Sequence, residues 1–257
     1  MFISGIGFIS GEGIGLQALR QTCASPVPAL EISDEIIKSY KFPRDLRRAD
    51  RFSRMCMIAG NEALRDSGME TDNCGIIVAT ALGPHETTFS FLGDLIDYSG
   101  TEVSPTKFSH SVHNAAASYT SIFCGIDAFS LTVVGFDNPW AKGLLAAEIM
   151  LAQEQADKVL LIGADEKKLL AELLGKLDSP PGFPRDSIEC AVGMLLSAAE
   201  TPESYCRVSA LEEKDALIFS GKTGTVKKLP VSYSGNVFFG SALDCAVLAV
   251  QKRLWKN

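Results

Sequence analysis

The apolar residues alternate between short continuous runs and stretches with helical spacing. Continuous runs at 2–9, 74–81 and 158–165 are typical of buried β-strands. An amphipathic run at 51–67, ended by Gly68, predicts a long helix. This alternation predicts an α/β fold with helices on both faces of one sheet. Shorter helices are predicted at about 14–23, 86–98 and 113–124, with a loop around Pro105 and a proline-punctuated segment at 26–43.

Residues 131–151, LTVVGFDNPWAKGLLAAEIML, combine a strand, a tight elbow and a helix. Many enzymes hold a nucleophile at such an elbow, because the helix N-terminus stabilises developing negative charge. This elbow contains no Ser, Thr or Cys, only Asp137, Asn138 and Pro139. Asp or Asn followed by Pro is also a favoured helix start, so Asp137 or Asn138 is expected to have a structural role there.

The pattern weakens after residue 166. The turn-rich segment DSPPGFPRD, 178–186, predicts a loop or subdomain boundary. Strand-like segments follow at 189–200 and near 205–211, and a final helix is predicted at about 240–253.

Composition narrows the classes of partner. A net charge of −7 and a pI near 5.1 disfavour nucleic acid, which needs a clustered positive field. The seven cysteines are scattered without a C-x-x-C motif, as expected of reduced thiols in the cytoplasm. No basic region precedes Arg20, so a signal peptide is not expected, and the longest uncharged stretch, 108–126, is too polar for a membrane span.

The glycine-rich and histidine-containing segments do not predict a cofactor or a metal. GIGFISGEGIG departs from G-x-G-x-x-G because Ser10 stands where the third glycine belongs. SGKTGT, 220–225, lacks the opening glycine of a phosphate-binding loop, since that position is Ala216. His110 and His113 have no third ligand at a recognisable interval.

Arg44, Arg47, Arg51 and Arg54 would form one stripe if a helix began at Pro43. Such a stripe suits a solvated helix face, with acidic residues nearby, or a docking surface for an acidic partner.

Several longer segments resemble the N-terminal half of the β-ketoacyl synthases, the thiolase-fold condensing enzymes of fatty-acid and polyketide synthesis. The resemblance rests on the opening ISGIGFISGEGIG, on RFSRMCMIAGNEALRDSG (51–68), on GIIVATALGPHETTFSFL (75–92) and on the long stretch 104–166. It implies a thiolase-like layered fold with an abbreviated C-terminal half. We therefore expect a single domain, 1–257, made of a synthase-like part, 1–177, and an abbreviated part, 178–257.

The same resemblance implies a catalytically silent subunit. In the active enzymes the elbow carries the acyl-accepting cysteine, and Asp137 takes that place here. The active enzymes also use two histidines from their C-terminal half, whereas this chain has no histidine after His113. The implied role is that of a chain-length-factor analogue, which pairs with a cysteine-bearing synthase as a heterodimer or heterotetramer and works on acyl carrier protein. Short proteins of this type resemble subunits of aryl-polyene, dialkylresorcinol and flexirubin pigment clusters.

By resemblance, residues 130–136 would lie at the subunit interface, and the Arg stripe is a possible carrier-protein patch. The tunnel and interface residues implied are Phe108, His110, His113, Asn114, Val133, Val134 and Phe136.

Two other functions stay open. Asp137 could serve as a general base or nucleophile in acyl-thioester hydrolysis or malonyl decarboxylation, although a carboxylate repels the malonyl carboxylate. A free-standing acyl- or pantetheine-binding module is the third hypothesis.

Overall fold

The computed structural model describes residues 1–25, 29–98, 103–135, 138–167, 188–202, 204–210, 216–220, 226–230 and 246. Its strands are β1 (Phe2–Ser10), β2 (Gly13–Ile14), β3 (Cys74–Thr80), β4 (Ser130–Val134), β5 (Lys158–Asp165), β6 (Cys190–Ser197), β7 (Cys206–Ser209), β8 (Ala216–Ser220) and β9 (Val226–Pro230). Its helices are α1 (Leu16–Ala24), α2 (Asp34–Ser39), a 3₁₀ turn (Arg44–Leu46), α3 (Arg51–Ser67), α4 (His85–Asp97), α5 (Pro105–Ser111), α6 (Ala115–Cys124) and α7 (Pro139–Ala152).

The described strands form one mixed sheet in the order β4-β3-β5-β6-β1-β7-β8-β9, with β2 paired to β1. β3 runs parallel to both β4 and β5, whereas β6 is antiparallel to β5 and β1. The carboxyl ends of β4, β3 and β5 therefore meet at one edge of the sheet. In open α/β sheets this edge is where ligand sites form.

Helices cover both faces of the sheet, as the sequence predicts. On β3, Ile77 and Ala79 belong to the apolar core that contains residues of α1 and α7, while Ile76 and Val78 belong to the core that contains residues of α3 and α6. This alternation follows from the period of two along a strand. It places separate apolar cores above and below the sheet.

Glycines in β1 and β6 let α3 approach the sheet closely. A Cβ atom on Gly7 would lie 2.0 Å from the carbonyl oxygen of Ala59, and one on Gly193 would lie 2.3 Å from the same oxygen. Gly5 has the same relation to Ala63, at 2.1 Å. The glycine-rich start of the chain thus serves helix packing, since only glycine tolerates this approach.

The predicted long helix is confirmed as α3. Asp50 caps it by accepting a hydrogen bond from the Ser53 backbone N–H at 3.3 Å, and Gly68 ends it in the left-handed region at φ 63°. Two shorter predictions differ from the structure. The segment around Pro105 begins helix α5, because Ser104 accepts from the Lys107 N–H and proline is favoured at the first helical position. The proline-punctuated segment 26–43 contains α2, whose cap is Ser33.

The strand-like segments at 189–200 and 205–211 correspond to β6 and β7. β7, β8 and β9 then continue the sheet as an antiparallel meander beside β1. The boundary predicted at 178–186 lies outside the described residues. So does the final helix at 240–253, apart from Ala246, which is helical and buried in the core that contains α7.

Candidate functional site

The strand–elbow–helix unit is present at the carboxyl edge of the sheet. β4 ends at Val134, and the next residue, Gly135, donates its N–H to the carbonyl of Thr80 at 3.2 Å. Asn138 takes the left-handed conformation at φ 42°, and its side-chain oxygen accepts from the Ala141 N–H at 3.1 Å. Of the two expected capping residues, Asn138 is therefore the N-cap of α7. Phe136 and Asp137 lie outside the described residues.

Beside the elbow, Asp165 at the end of β5 binds the loop that follows β3 through hydrogen bonds. Its buried carboxylate accepts from the Thr80 hydroxyl at 2.5 Å, the Ala81 N–H at 3.1 Å and the Leu82 N–H at 3.0 Å. The Thr80 hydroxyl oxygen in turn accepts from the Gly83 N–H at 2.7 Å. Burial raises the pKa of Asp165 to about 7, against the lowering effect of these hydrogen bonds.

A buried histidine and a buried glutamate lie next to Asp165 and its hydrogen-bond partners. His85 at the start of α4 and Glu166 after β5 are 5% and 2% exposed, with His85 Nδ1 3.7 Å from a Glu166 carboxylate oxygen. Burial lowers the pKa of His85. Burial, together with the charges of Glu86 and Asp50, raises the pKa of Glu166 well above its usual value. Both groups are thereby favoured in their uncharged forms, as buried imidazole and carboxylic acid.

Helices α4 and α5 pack on each other through Phe91 and Phe108, whose ring centroids are 5.5 Å apart, and through a Lys107–Asp94 ion pair at 2.6 Å. The apolar side chains of Phe89, Leu92 and Ile96 on α4 are exposed. Strand β4 lies at the edge of the described sheet and also exposes apolar side chains. We call this set the apolar face: Phe89 (49% exposed), Leu92 (42%), Ile96 (78%), Phe108 (56%), Leu131 (40%) and Val134 (47%).

The residues implied as tunnel or interface lie on α5, on the turn after it, and on β4. Phe108 is exposed, whereas His110 is buried with its Nε2 2.6 Å from the Tyr119 hydroxyl oxygen. His113 is exposed, and its ring packs against Gly83, where an added Cβ would lie 2.5 Å from it. The other described members are the exposed N-cap Asn114, the half-buried Val133 and the exposed Val134. Of these residues, His113 contacts Gly83 in the loop that follows β3, and Val134 pairs with Thr80 at the start of that loop.

The four arginines do not share one helix, because a 3₁₀ turn ends at Leu46 and α3 begins only at Arg51. This corrects the predicted continuous stripe. Arg51 holds the buried carboxylate of Glu189 through two hydrogen bonds, at 2.8 and 3.2 Å, and also contacts Asp34 at 3.1 Å. Arg54 donates to the carbonyl of Arg47. The side chains of Arg44 and Arg47 are exposed.

Sequence reasoning missed the buried polar groups Asp165, Glu166, His85 and Glu189. The run Ala-Asp-Glu at the end of a continuous apolar strand was a signal for the first two, since charged residues there lie at the ligand-binding edge of the sheet. Glu189 carries no local signal, because its partner Arg51 is 138 residues away along the chain.

The described cysteines are free thiols. Burial raises the pKa of Cys74 to about 11 and that of Cys190 to about 12, so both stay protonated at neutral pH and are poor nucleophiles. Among the described residues, no group of three His, Cys, Asp or Glu side chains is arranged to hold a metal ion. Within the same part of the chain, no helix is long and apolar enough to cross a membrane.

Comparison with known proteins identifies the family. The profile of the β-ketoacyl synthase N-terminal domain matches residues 42–233. The chain belongs to this family. No curated protein sequence matches the chain.

Solved structures of ketosynthases superpose on most of the chain. The ishigamide ketosynthase/chain length factor matches with a TM-score of 0.66 and 21% identity, over 80% of this chain and 65% of that chain. The ketosynthase ApeO in complex with its chain length factor ApeC, from Xenorhabdus doucetiae, matches with a TM-score of 0.63 and 20% identity, over 85% of this chain and 94% of that chain. AntDE:AntF, a type II polyketide acyl-carrier protein in complex with its ketosynthase, matches with a TM-score of 0.65 and 17% identity, over 81% of this chain and 66% of that chain.

These likenesses confirm the predicted thiolase-like fold and the resemblance to β-ketoacyl synthases. The chain spans about two thirds of the length of the ishigamide and AntDE:AntF chains that it matches. It is a β-ketoacyl synthase-like chain that is short in comparison with them.

Proposed function

We propose that this chain is the catalytically silent partner of a cysteine-bearing β-ketoacyl synthase, acting as a chain-length-factor analogue on acyl groups carried by acyl carrier protein. The complex would be cytoplasmic and would belong to polyketide or fatty-acid-type elongation of the aryl-polyene, dialkylresorcinol or flexirubin kind. The chain would act as one domain, with 178–257 as its abbreviated portion.

The apolar face is the observation that carries this proposal. Phe89, Leu92 and Ile96 recur at positions i, i+3 and i+7 of α4, so they form one stripe on the helix. Only His85 is buried among the residues of α4. A contiguous exposed apolar patch on a protein surface marks an interaction site. A partner that covers the stripe and extends the sheet at β4 would bury these side chains.

The absence of a nucleophile at the elbow supports the silent role. A carboxylate at position 137 cannot hold the acyl group as a thioester, because that bond requires a thiolate. The pKa values of the buried cysteines are raised, so these thiols do not replace it. The chemistry would then belong to the partner.

Size supports the same role. The chain matched in the ApeO and ApeC complex is covered to 94%, so it is close to this chain in length. That structure is of a ketosynthase in complex with its chain length factor. A protein of this length can therefore take part in an assembly of ketosynthase-fold subunits.

In the proposed complex, the residues that the family resemblance implies would contribute to the partner's acyl tunnel and to the interface. These are Phe108, His110, His113, Asn114, Val133, Val134 and Phe136. For the carrier protein, Arg44 and Arg47 are the members of the arginine set whose exposed side chains suit an acidic partner. Arg51 is engaged with Glu189 and would not take part.

The test is co-expression with each candidate ketosynthase encoded near this chain, followed by size-exclusion chromatography and mass analysis of the eluted complex. We expect a stoichiometric complex that elongates malonyl-carrier protein. Replacing the partner's active-site cysteine should abolish product, whereas Asp137→Asn in this chain should leave product formation intact. A chain that stays monomeric with each neighbouring ketosynthase contradicts the proposal. Hydrolysis or decarboxylation by the isolated chain that is lost in Asp137→Ala would instead assign chemistry to Asp137.

A further inference from the structure

Thr80, the last residue of β3, joins Asp165 to two neighbouring segments. Its hydroxyl donates to the Asp165 carboxylate at 2.5 Å and accepts from the Gly83 N–H at 2.7 Å. Its backbone carbonyl accepts from the N–H of Gly135, the first residue of the elbow, at 3.2 Å. Asp165 therefore reaches both the elbow and Gly83 through one residue, which is itself completely buried.

Gly83 extends this network to His113. Gly83 lies in the left-handed region at φ 64°, and a Cβ atom added to it would lie 2.5 Å from His113 Cδ2. The ring of His113 therefore packs directly on the Gly83 backbone. A displacement of Gly83 moves the surface that supports this ring.

The directions of the hydrogen bonds show which form of Asp165 holds the loop. Its three partners, the Thr80 hydroxyl and the N–H groups of Ala81 and Leu82, are all donors. An ionised carboxylate only accepts, whereas a protonated carboxyl group carries a donor on one oxygen. Hydrogen bonds to an ionised acceptor are also roughly twice as strong as neutral ones. Protonation of Asp165 on either oxygen therefore weakens or displaces at least one of the three bonds.

Several other titratable groups lie on the elements packed around Asp165. They are Cys56 on α3, Cys190 on β6 and the preceding Glu189, His85 at the start of α4, the adjacent Glu166, and His113 on Gly83. Burial raises the pKa of both thiols, and it favours the neutral forms of Glu166 and His85. Glu189 is paired with Arg51. Asp165 itself has a pKa of about 7, so its charge changes in the neutral range.

We infer that Asp165 is a positioning residue: through Thr80 its carboxylate holds the elbow at Gly135 and the support of His113 at Gly83 as one unit, and loss of its charge loosens both. This control of the site rests on the proposed function, in which the elbow and His113 lie beside the partner's acyl tunnel. In that complex the ionisation of Asp165 sets the shape of the surface that this chain contributes to the tunnel.

Amide hydrogen exchange of the isolated chain at about pH 6 and about pH 8, corrected for intrinsic rates, tests the coupling. The hydrogen bonds lower the pKa of Asp165 relative to the same buried carboxyl without them, so opening of the loop takes up a proton. We expect the protection factors of the amides at 81–83 and at Gly135 to rise together, on the order of tenfold, between the two pH values. A role in overall stability alone predicts the opposite direction, because the raised pKa makes the folded chain less stable as pH rises.

Asp165→Asn should remove this pH response, and His113 is present in both proteins, so the comparison isolates Asp165. Asp66→Asn is the matched control. Asp66 also accepts from an N–H and a hydroxyl, those of Ile6 at 2.9 Å and Tyr205 at 2.7 Å. It is in the last turn of α3, about 22 Å along the helix from the first turn, which lies at the edge that contains Asp165. The response at 81–83 should persist in Asp66→Asn.

A pair of variants at Thr80 tests the connecting residue. Thr80→Val removes the hydroxyl and keeps the backbone carbonyl, so the Gly83 amide should lose protection on the order of tenfold. Thr80→Ser keeps the hydroxyl and should restore the protection of Gly83. Equal protection of Gly83 in both variants would contradict the role of the hydroxyl.

The complex with a candidate ketosynthase tests the control of the site. At about pH 6 most of the wild-type Asp165 is protonated, so wild type and Asp165→Asn should yield products of the same chain length. At about pH 8 the two proteins should yield different length distributions. The partner is common to both, so its own pH dependence cancels.

Three results would overturn the inference. They are protection at 81–83 that does not rise with pH, a rise that persists in Asp165→Asn, and a rise that leaves Gly135 unchanged. Equal product lengths at about pH 8 would overturn the control of the site and leave the proposed function standing. A chain that forms no complex would contradict the proposed function and the control of the site with it, whereas the exchange measurements need no partner and still decide whether Asp165 holds the elbow and Gly83 together.

Discussion

At the carboxyl edge of the sheet, the side chains of single residues accept hydrogen bonds from backbone N–H groups that the helices and strands leave without a backbone partner. Asn138 and Asp165 do this in different ways: one caps a helix from a left-handed conformation, and the other collects donors from a loop. Both side chains are buried, so their hydrogen bonds are not exchanged easily for water. Substitutions at these positions should therefore affect stability more than surface changes do.

Asn138→Ala should lower the free energy of unfolding by about 2 kcal/mol. The variant loses the capping acceptor, and alanine has no side-chain hydrogen bond to offset the cost of the left-handed conformation at φ 42°. Asn138→Gly keeps the backbone conformation and should cost less than Asn138→Ala. Asp137→Ala should stay within about 0.5 kcal/mol of wild type because the cap remains. Urea denaturation of the three variants is the measurement. An equal loss in Asp137→Ala and Asn138→Ala would show that Asn138 alone does not supply the cap.

Asp165 should make stability fall as pH rises. Its pKa is about 7 in the folded chain and near 4 when unfolded, so above pH 4 the unfolded chain releases a proton that the folded chain keeps. The contribution of Asp165 to the free energy of unfolding is therefore complete below pH 4 and is lost once the pH has passed 7. The stability difference between wild type and Asp165→Asn should therefore shrink by on the order of 2 kcal/mol between pH 5 and pH 8.

Urea unfolding of both proteins at the two pH values measures this difference. His85 has a lowered pKa and acts in the opposite direction as pH falls below its unfolded value, but it is present in both proteins and cancels in the comparison. A difference that stays constant with pH would show that Asp165 is ionised throughout.

At the scale of elements, one ion pair joins three parts of the chain. Arg51 in the first turn of α3 binds Glu189, the residue before β6, and both also hydrogen-bond the backbone of Ile32 before α2. The Glu189 side chain is 1% exposed. Removing Arg51 would leave the buried carboxylate of Glu189 without its charge partner, with the Ile32 N–H still donating to it.

Arg51→Met should lower the free energy of unfolding by about 3–5 kcal/mol. The double variant Arg51→Met/Glu189→Gln should lose less than the sum of the single losses, because the orphaned charge is removed as well. Arg65→Met is the matched control: its ion pair with Glu62 is on the surface of the same helix, with Arg65 70% exposed, and should contribute at most about 1 kcal/mol. Thermal and urea unfolding would measure these losses. Equal losses in Arg51→Met and Arg65→Met would contradict the structural role assigned to the buried pair.

At the scale of the whole molecule, the sheet has a covered centre and an exposed edge. β3 and β5 are buried along their full lengths, whereas β4 exposes residues on its outer side. The α4–α5 hairpin exposes the apolar residues Phe89, Leu92, Ile96 and Phe108. In the described part of the molecule, the buried residues that stabilise the fold therefore lie on the central strands, whereas the exposed apolar residues lie on β4 and on the α4–α5 hairpin.

Leu92→Ser/Ile96→Ser should leave the free energy of unfolding within about 0.5 kcal/mol of wild type, because both side chains are largely exposed in the isolated chain. The same double variant should lose binding to the neighbouring ketosynthase, measured by co-purification and titration. Leu30→Ser is the control, since Leu30 is 40% exposed but lies before α2, away from β4. Undiminished binding by the double variant would place the interface elsewhere.

The sequence by itself determined the main strands and the long helix. The continuous apolar runs at 74–81 and 158–165 predict buried strands, and the amphipathic run at 51–67 predicts a helix. Each signal lies within one short segment, so local sequence is sufficient to read it. Asn-Pro at the elbow was also readable, because capping acts over three residues. Ser-Pro at Ser104 could have been read the same way, but proline is equally common in loops, and α5 was missed.

Only the tertiary structure decided the polar arrangement at the carboxyl edge and the apolar face. Thr80 and Asp165 are 85 residues apart, so their hydrogen bond exists only because β3 and β5 are parallel neighbours. Gly7 shows the same limit: its role is to admit the backbone of Ala59, and spacing within β1 cannot reveal a contact made across the sheet. Similarly, the sequence predicted a helix at about 86–98, but whether its apolar residues are buried or exposed depends on which element packs against it.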